Sequence, residues 1–583
     1  MELIIQEETV TQTGHSTSAA QQLLELASQL GVEYIFSNLG SDHPAFIEAF
    51  ARIDEIGGKS PKIIICPHEM TALTAAHGYA MVTRKPQMVL VHVDVGTQNL
   101  GCSIHNAARA RVPAIIIAGL SPVTVNGDQV GARTEFIHYT QDAPRQHDIA
   151  AQYMKWSYEL RAPEMVDSVL LRAIQVSTTM PEGPVYLTGA REVWDGQIPA
   201  SREVPKHWPA ADTGGLRTDA LKELLEALRH AERPLLITTY VGRQPAAVEH
   251  LIALSERFGI AVCEVAPQYM NFPGTHPNHV GYRRNSLVSQ ADLILMVDVD
   301  VPWIVSKTSP ATDAKLFHID SDPIKQGLGF WHFPAHRSYQ ADSLYVLRQL
   351  LEMEAGGPPT APDVNRKWID DAKRQIAAAP LPTAVGAPDD ITVRQLSLAV
   401  RELLNERSVV VCEEPSGTET ILSTLRMSRP GSYYVNGGSG LGWGINAAIG
   451  IKLAKPDAEV ISLIGDGSYV FGVPSSAYWV GETYQAPQLT IIYNNRGWNS
   501  PKVSTLLVHP EGTAQRNDRY WITSGANARL ADIAAAASGA AAFRVVKLAD
   551  LPATLQQAME IVRGGRSAVV EVLITPVSAQ VLK

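Results

Sequence analysis

Residues 459–500, EVISLIGDGSYVFGVPSSAYWVGETYQAPQLTIIYNNRGWNS, decide how the rest of the chain is read. The mostly apolar run Val460 to Ile464 is rich in β-branched residues and predicts a strand. It stops at Gly465-Asp466-Gly467, where flanking glycines let the backbone come close to a bulky anion beside a carboxylate. A second apolar run, Leu489 to Tyr493, ends in Asn494-Asn495. Read as strand, turn, helix, strand, turn, the stretch brings Asp466 and Asn495 to one carboxyl edge of a parallel sheet, where open α/β sheets bind ligands. Two hard oxygen donors beside a phosphate turn suit Mg²⁺. The alternative is an ordinary strand-to-helix turn followed by an unrelated Asn-Asn turn.

The same alternation runs through the chain. Thr17 to Leu30 has helical apolar spacing and leads into Val32 to Phe36, a predicted strand ending at Asn38-Leu39-Gly40-Ser41. Strands are predicted again at Lys62 to Cys66, Val89 to Val93 and Ala114 to Ala118, with a last one at Gly183 to Thr188, the βαβ pattern of a parallel sheet. Residues 196–213 are rich in Pro, Ala and Asp and read as a linker. A second α/β unit over 214–350 has predicted strands at Pro234 to Thr238, Ala261 to Glu264, Leu293 to Val297 and Lys315 to Ile319, and no strict G-x-G-x-x-G. Residues 355–390 read as a Pro-rich tether around one helical stretch, and the third unit begins near 391 and closes with Ala568 to Ile574.

Composition bounds what these units do. A chain of 583 residues with a net charge of −10 and no Lys/Arg block is not the profile of a general nucleic-acid binder. Cys66, Cys102, Cys263 and Cys412 lack C-x-x-C spacing, so neither a zinc site nor a disulfide framework is expected, and a reducing cytoplasm fits best. The first 20 residues lack a basic n-region and an apolar h-region, and no apolar run follows that is long enough to span a bilayer. Neither an export signal nor a membrane partner is expected. Gly57-Gly58-Lys59-Ser60 lacks the upstream glycine of a P-loop, since position 53 is Ile.

The GDG and NN turns, with residues 468–493 between them, resemble the thiamine diphosphate (ThDP) signature, and nearly the whole chain resembles the pyruvate oxidase, acetolactate synthase and benzoylformate decarboxylase group of ThDP-dependent enzymes. The fold class is then α/β, three consecutive parallel-sheet domains: a pyrimidine domain over 1–195, a central domain over 214–350 and a diphosphate domain over 391–583. The resemblance implies that Asp466 and the Asn495 side chain, with the Gly497 carbonyl, hold Mg²⁺ against the cofactor's diphosphate, and that Gly467 and Ser468 contact that diphosphate. Ser416, Gly417 and Thr418, after the predicted strand Val409 to Cys412, fall where relatives place further diphosphate contacts. In Gly437-Gly438-Ser439-Gly440-Leu441-Gly442, Leu441 matches the bulky residue under the bend of the cofactor, with the Gly440 and Gly442 carbonyls around it. The alternative is a Gly-rich strand end with a core leucine.

HEMTALTAAHGYA (68–80) resembles the family motif whose glutamate hydrogen-bonds the aminopyrimidine ring, so Glu69 would drive the imino tautomer that deprotonates the thiazolium C2. Otherwise Glu69 is a first-turn residue favoured by the helix dipole. A zinc H-E-x-x-H site fails because position 72 is Ala. Asn38-Leu39-Gly40-Ser41 resembles the turn of benzoylformate decarboxylase whose serine meets the substrate carboxylate, which makes Ser41 a candidate for the same role. His92, on the predicted strand VLVHV, stands as far from Glu69 as that enzyme's acid–base histidine, and Thr275-His276-Pro277 resembles the surroundings of its second histidine. For His92 the alternative is a core histidine, and for His276 a structural turn residue. His43, in Gly-Ser-Asp-His-Pro, and the segment Trp498-Asn499-Ser500-Pro501-Lys502 depart from that enzyme. His43 is either an acid–base group near C2 or a turn cap.

The resemblance thus implies a lyase or transferase that makes or breaks a C–C bond next to a carbonyl of a small-molecule substrate, by 2-oxo acid decarboxylation, carboligation or both. It implies a homodimer at minimum and a homotetramer by expectation, because the Glu and GDG halves of this family's site meet across two subunits. A 2-hydroxyacyl-CoA lyase is the alternative within enzymes, and a non-catalytic ThDP-binding subunit the alternative outside them. An FAD oxidase is not favoured, since the central unit carries no flavin fingerprint.

Overall fold

The structure is a computed structural model that describes residues 16–200, 208–282, 285–355, 362–378, 390–522 and 528–575. Three parallel sheets follow one another along the chain. The first is built from Tyr34–Ser37, Lys62–Ile65, Gln87–Val91, Ala114–Leu120, Trp156–Leu160 and Pro184–Ala190. Across the sheet the second of these lies at one edge, followed by the first, third, fourth, sixth and fifth. The third sheet, from Ser408–Glu413, Tyr433–Tyr434, Glu459–Gly465, Leu489–Asn494, Ala541–Val545 and Ala568–Leu573, has the same spatial order. Its strands Ser408–Glu413, Glu459–Gly465 and Leu489–Asn494 are buried along their whole length, as strands covered by helices on both faces must be. The central sheet has five parallel strands, Pro234–Thr238, Ala261–Glu264, Leu293–Val297, Lys315–Asp320 and Arg337–Gln340.

The expected α/β class with three parallel-sheet units is what the chain forms, and several local expectations are corrected. Trp156–Leu160, Ala541–Val545 and the two-residue Tyr433–Tyr434 pair as strands although their runs are too short or too exposed to be read alone. Residues 197–199, within the expected linker, pair antiparallel with Ser16–Ser18. Helix Asp363–Ala378, within the expected tether, docks on the central sheet: Trp368, Ile369 and Ala372 join its core, and Asn365 Nδ2 donates to the carbonyls of Ala231 and Phe258. The strand expected through Val93 ends at Val91, so His92 caps the helix Val93–Asn99 instead of lying in the sheet.

What joins the first and third units is a pair of helices. Glu69–Thr83 starts where His68 turns its Nδ1 back to accept the Met70 N–H at 3.2 Å, and stops at Arg84, whose φ of +57° puts it in the left-handed region. It is Ala-rich and buried on every face from Glu69 to Met81. Its partner Gly444–Ala454 occupies the equivalent place after the second strand of the third sheet and is buried from Gly444 to Ile451. A Cβ on Gly78 would stand 2.1 Å from the Ala447 carbonyl oxygen, and one on Gly450 1.8 Å from that of Ala75. Residue 78 level with 447 and 75 level with 450 is an antiparallel register, held at backbone contact by the two glycines.

Candidate active site

Both outer sheets have a topological switch point between their first and third strands, and the expected site residues gather at those two places. At the first, Glu69 opens its helix with only 5% exposure, and its two carboxylate oxygens accept from different amides: Oε1 from Asn38 Nδ2 at 2.9 Å and Oε2 from Asn99 Nδ2. Gly96 lets the chain pass close by, since a Cβ there would lie 3.3 Å from Glu69 Oε1. Two neutral amide donors orient this carboxyl group from opposite oxygens.

Beside it lies a second carboxylate that no sequence motif marks. Asp42 Oδ1 stands 2.5 Å from His92 Nδ1, and Oδ2 accepts the Val93 N–H at 3.1 Å. Burial alone would raise the Asp42 carboxyl, but His43 and His92 beside it leave it below the ordinary carboxylate value. His92 is raised above the ordinary histidine value, first by its hydrogen bond to Asp42 and against its partial burial. His43 is fully buried; its Nδ1 accepts the Gly40 N–H at 2.9 Å and burial pushes its pKa down. The structure therefore uses His43 to cap the turn before helix Pro44–Glu55. Ser41 is exposed on the same turn. His276 is not brought to this group: its Nε2 meets Glu256 at 3.1 Å and its Nδ1 accepts from the Asn278 N–H at 3.1 Å, both within the central unit.

At the second switch point the GDG and NN turns converge. The Gly497 N–H donates to Asp466 Oδ2 at 2.8 Å and lies 3.0 Å from Asn495 Oδ1, so a carboxylate and an amide oxygen crowd one point. Asn494 instead braces the turn from behind, where its Nδ2 donates to Glu571 Oε1 at 2.6 Å and its Oδ1 accepts the Arg496 N–H at 2.8 Å. Burial raises the Asp466 carboxyl against the backbone N–H groups of Gly467 and Gly497, a strain on the charged form that a bound cation would relieve. Ser468 is buried in the turn of helix that follows, and a Cβ on Gly467 would lie 2.6 Å from the Trp498 Nε1, so that indole covers the GDG turn.

Two further buried carboxylates hold the loops around this point. Glu413 Oε1 and Oε2 accept the N–H groups of Gly442 and Gly444 at 2.8 and 2.7 Å, fixing the loop that carries half-buried Leu441. Gly440 is tied by exchange with Asn106: its N–H donates to Asn106 Oδ1 and its carbonyl accepts from Nδ2, both at 2.9 Å. The Gly417 N–H and the Thr418 hydroxyl, expected to face a diphosphate, instead donate to the Glu414 side chain and backbone carbonyl, which leaves Ser416 half-exposed. Burial pushes Glu413 and Glu414 each up to about 7. Sequence reasoning missed both as functional residues, although the pair Glu413-Glu414 after an apolar strand was the signal.

These donor sets fit ThDP. A buried carboxylate oriented by amides suits a ring nitrogen that shares a proton, and two converging hard oxygens suit a divalent cation on a diphosphate. The two sets do not meet within one chain. The antiparallel register puts residue 81 level with Gly444, so Glu69 lies twelve residues further along, about 18 Å at 1.5 Å per residue.

Comparison with known proteins agrees with this architecture. Residues 17–149 match the N-terminal TPP binding domain of thiamine pyrophosphate enzymes, 221–350 their central domain and 417–572 their C-terminal TPP binding domain. Over 500 residues the chain is 26% identical to benzoylformate decarboxylase of Pseudomonas aeruginosa, covering 83% of this chain and 86% of that one. It is 24% identical over 494 residues to the acetolactate synthase large subunit of Haemophilus influenzae, with 82% of each chain covered. The solved benzoylformate decarboxylase from Polynucleobacter necessarius shares the fold, with a TM-score of 0.78 at 21% identity over 96% of this chain and 100% of the other. With all three domain matches falling in order on three successive sheets, the chain belongs to the family of thiamine pyrophosphate (thiamine diphosphate) enzymes.

Proposed function

We propose that this enzyme decarboxylates a 2-oxo acid, or ligates the fragment left after CO₂ departs to a second carbonyl compound, with Mg²⁺ as its metal and a homodimer as its smallest active unit. The observation that carries the reading is the Glu69 carboxylate, buried and gripped by Asn38 and Asn99. ThDP, when bound, would supply a carbon nucleophile for carbonyl addition and a sink for the electron pair released with CO₂. The chain's own residues do the rest. Glu69 holds a proton at the pyrimidine ring. Asp466, Asn495 and the Gly497 carbonyl hold Mg²⁺, and Gly467, Ser468 and Ser416 approach the diphosphate. Leu441, on the loop braced by Glu413, supports the bend between the two rings. His92 moves protons at the reacting carbon, and Ser41 meets the substrate carboxylate.

The 18 Å separation of the two donor sets along one helix pair supports a site completed by a second copy of the chain, and pairing of such dimers makes the proposed tetramer. No helix among the described residues is long and apolar enough to cross a membrane. None of the four cysteines is joined in a disulfide among the described residues and Cys102 is exposed, which suits the reducing cytoplasm proposed as its setting.

The test is CO₂ release from a panel of 2-oxo acids, including pyruvate, branched-chain and aryl members, with ThDP and Mg²⁺ present. Release that disappears in Glu69→Ala supports the reading and ranks the pocket by substrate size. Absence of release from every member, by protein that still binds ThDP, rejects it and favours cleavage of a 2-hydroxyacyl thioester.

A further inference from the structure

Asp42 does two things at once. Its Oδ1 lies 2.5 Å from His92 Nδ1, and its Oδ2 holds the N–H of Val93, the next residue, at 3.1 Å. Val93 has φ of +28°, a conformation that a β-branched residue adopts only when its surroundings impose it. The carboxylate therefore secures both the histidine ring and the strained turn that presents it. Two glycines make room for this arrangement: a Cβ on Gly119 would stand 1.9 Å from Asp42 Oδ2, and one on Gly40 2.2 Å from His92 Nδ1. The anchor is closed and the ring is open, since the Asp42 side chain keeps 1% exposure and that of His92 keeps 18%.

We propose that Asp42 is a positioning residue of this active site: it fixes His92 through Nδ1 and leaves Nε2 as the atom that gives and takes the proton during turnover. The inference rests on the 2-oxo acid reading only for what His92 then does. His43 also approaches Asp42 Oδ1, at 3.2 Å, but its Nδ1 already accepts the Gly40 N–H and so has no proton for the carboxylate. The dyad is thus Asp42 with His92. The groups facing His92 are Asp42 and His43 from the turn before helix Pro44–Glu55, Asp94 on its own turn, and Gln141 from the segment beyond the fourth strand; His138 of that segment faces Asp42. Asp42 and Asp94 favour the imidazolium, and a carboxylate on Nδ1 also fixes which nitrogen stays bonded when the ring is neutral.

Asp42→Asn is nearly isosteric and still accepts the Val93 N–H, but carries no charge. The pH titration of the His92 imidazole is followed by NMR in cofactor-free protein, its signal identified by loss in His92→Gln. The wild-type midpoint is expected above the ordinary 6.5, and Asp42→Asn should lower it measurably, since the hydrogen bond and charge that raise it are lost. In the loaded enzyme the same substitution should reduce kcat by about 10- to 100-fold with a smaller change in KM and move the pH optimum down, and Asp42→Glu should recover part of both. An unchanged His92 midpoint in Asp42→Asn overturns the proposal. So does a wild-type midpoint at or below 6.5, which needs no variant to fold. CO₂ release with an unshifted midpoint removes the role of Asp42 and leaves the decarboxylase standing; a shifted midpoint with no 2-oxo acid turned over does the reverse.

Discussion

Glu69 and Asp466 stand at opposite ends of one buried helix pair. Glu69 opens its helix, whereas Asp466 follows the strand that runs beside the Gly442–Gly444 loop at the start of the other helix, and the crossing at Gly78 and Gly450 makes the two helices antiparallel. The carboxylate proposed for the pyrimidine ring and the oxygens proposed for the diphosphate are therefore on one chain but far apart along it, about 18 Å at 1.5 Å per residue.

Mixed dimers test this directly. Glu69→Ala and Asp466→Ala homodimers are each expected to lack decarboxylase activity. Mixing and refolding the two should restore up to about one quarter of wild-type activity per total site, because only one of the two sites in a mixed dimer keeps both groups and half the dimers are mixed. No recovery at full mixing would place both groups in one chain's site.

The glycines at the crossing are the weak point of the fold. Gly450→Ala puts a methyl 1.8 Å from the Ala75 carbonyl oxygen, and backbone cannot rotate out of the way as a side chain does. The expected cost is about 1–3 kcal/mol or more, read as a drop in the urea midpoint. An unchanged midpoint would mean that the helices can separate freely.

The two asparagines of the NN turn should behave differently. Asn495→Ala removes an oxygen that converges on Gly497, and is expected to abolish Mg²⁺-dependent ThDP binding measured by calorimetry. Asn494→Ala only loosens the turn through Glu571 and Arg496, and should weaken metal affinity by about 10- to 100-fold. Chelation of the metal should reproduce the Asn495→Ala result in the wild type.

Glu413 and Glu414 predict a pH slope in stability. Burial raises both carboxyls from 4.5 to about 7, so between those values the folded chain binds more protons than the unfolded one. Their contribution is full below pH 4.5 and is lost as pH rises through 7. In cofactor-free protein the urea midpoint should fall over that range, and Glu413→Gln, with no charge to gain, should remove about half of the slope. A slope untouched by the substitution would assign it elsewhere.

Much of this site was legible because its residues sit where short sequence patterns end. Asp466 and Asn495 each follow an apolar run that closes on a glycine or asparagine turn, and Glu69 follows Lys62–Ile65 at the mouth of an Ala-rich helix. Asp42 was not legible, since nothing between Ser41 and His43 says that a carboxylate there reaches His92, fifty residues on. Nor did the run Val89 to Val93 reveal that the chain leaves the sheet at His92, because a β-branched residue with positive φ reads as strand in any local pattern.

The α/β class, the three successive units and the GDG and NN turns follow from residue order alone, because alternating apolar runs and glycine turns are local signals. It took the folded chain to establish that the two outer sheets share one strand order, that Glu413 braces the Leu441 loop and Asp42 grips His92, and that Glu69 and the Gly442–Gly444 loop lie at opposite ends of the helix pair. Those relationships are made by residues tens to hundreds of positions apart. They depend on which backbones pack closely enough for glycine alone, and that is settled only when the helices cross.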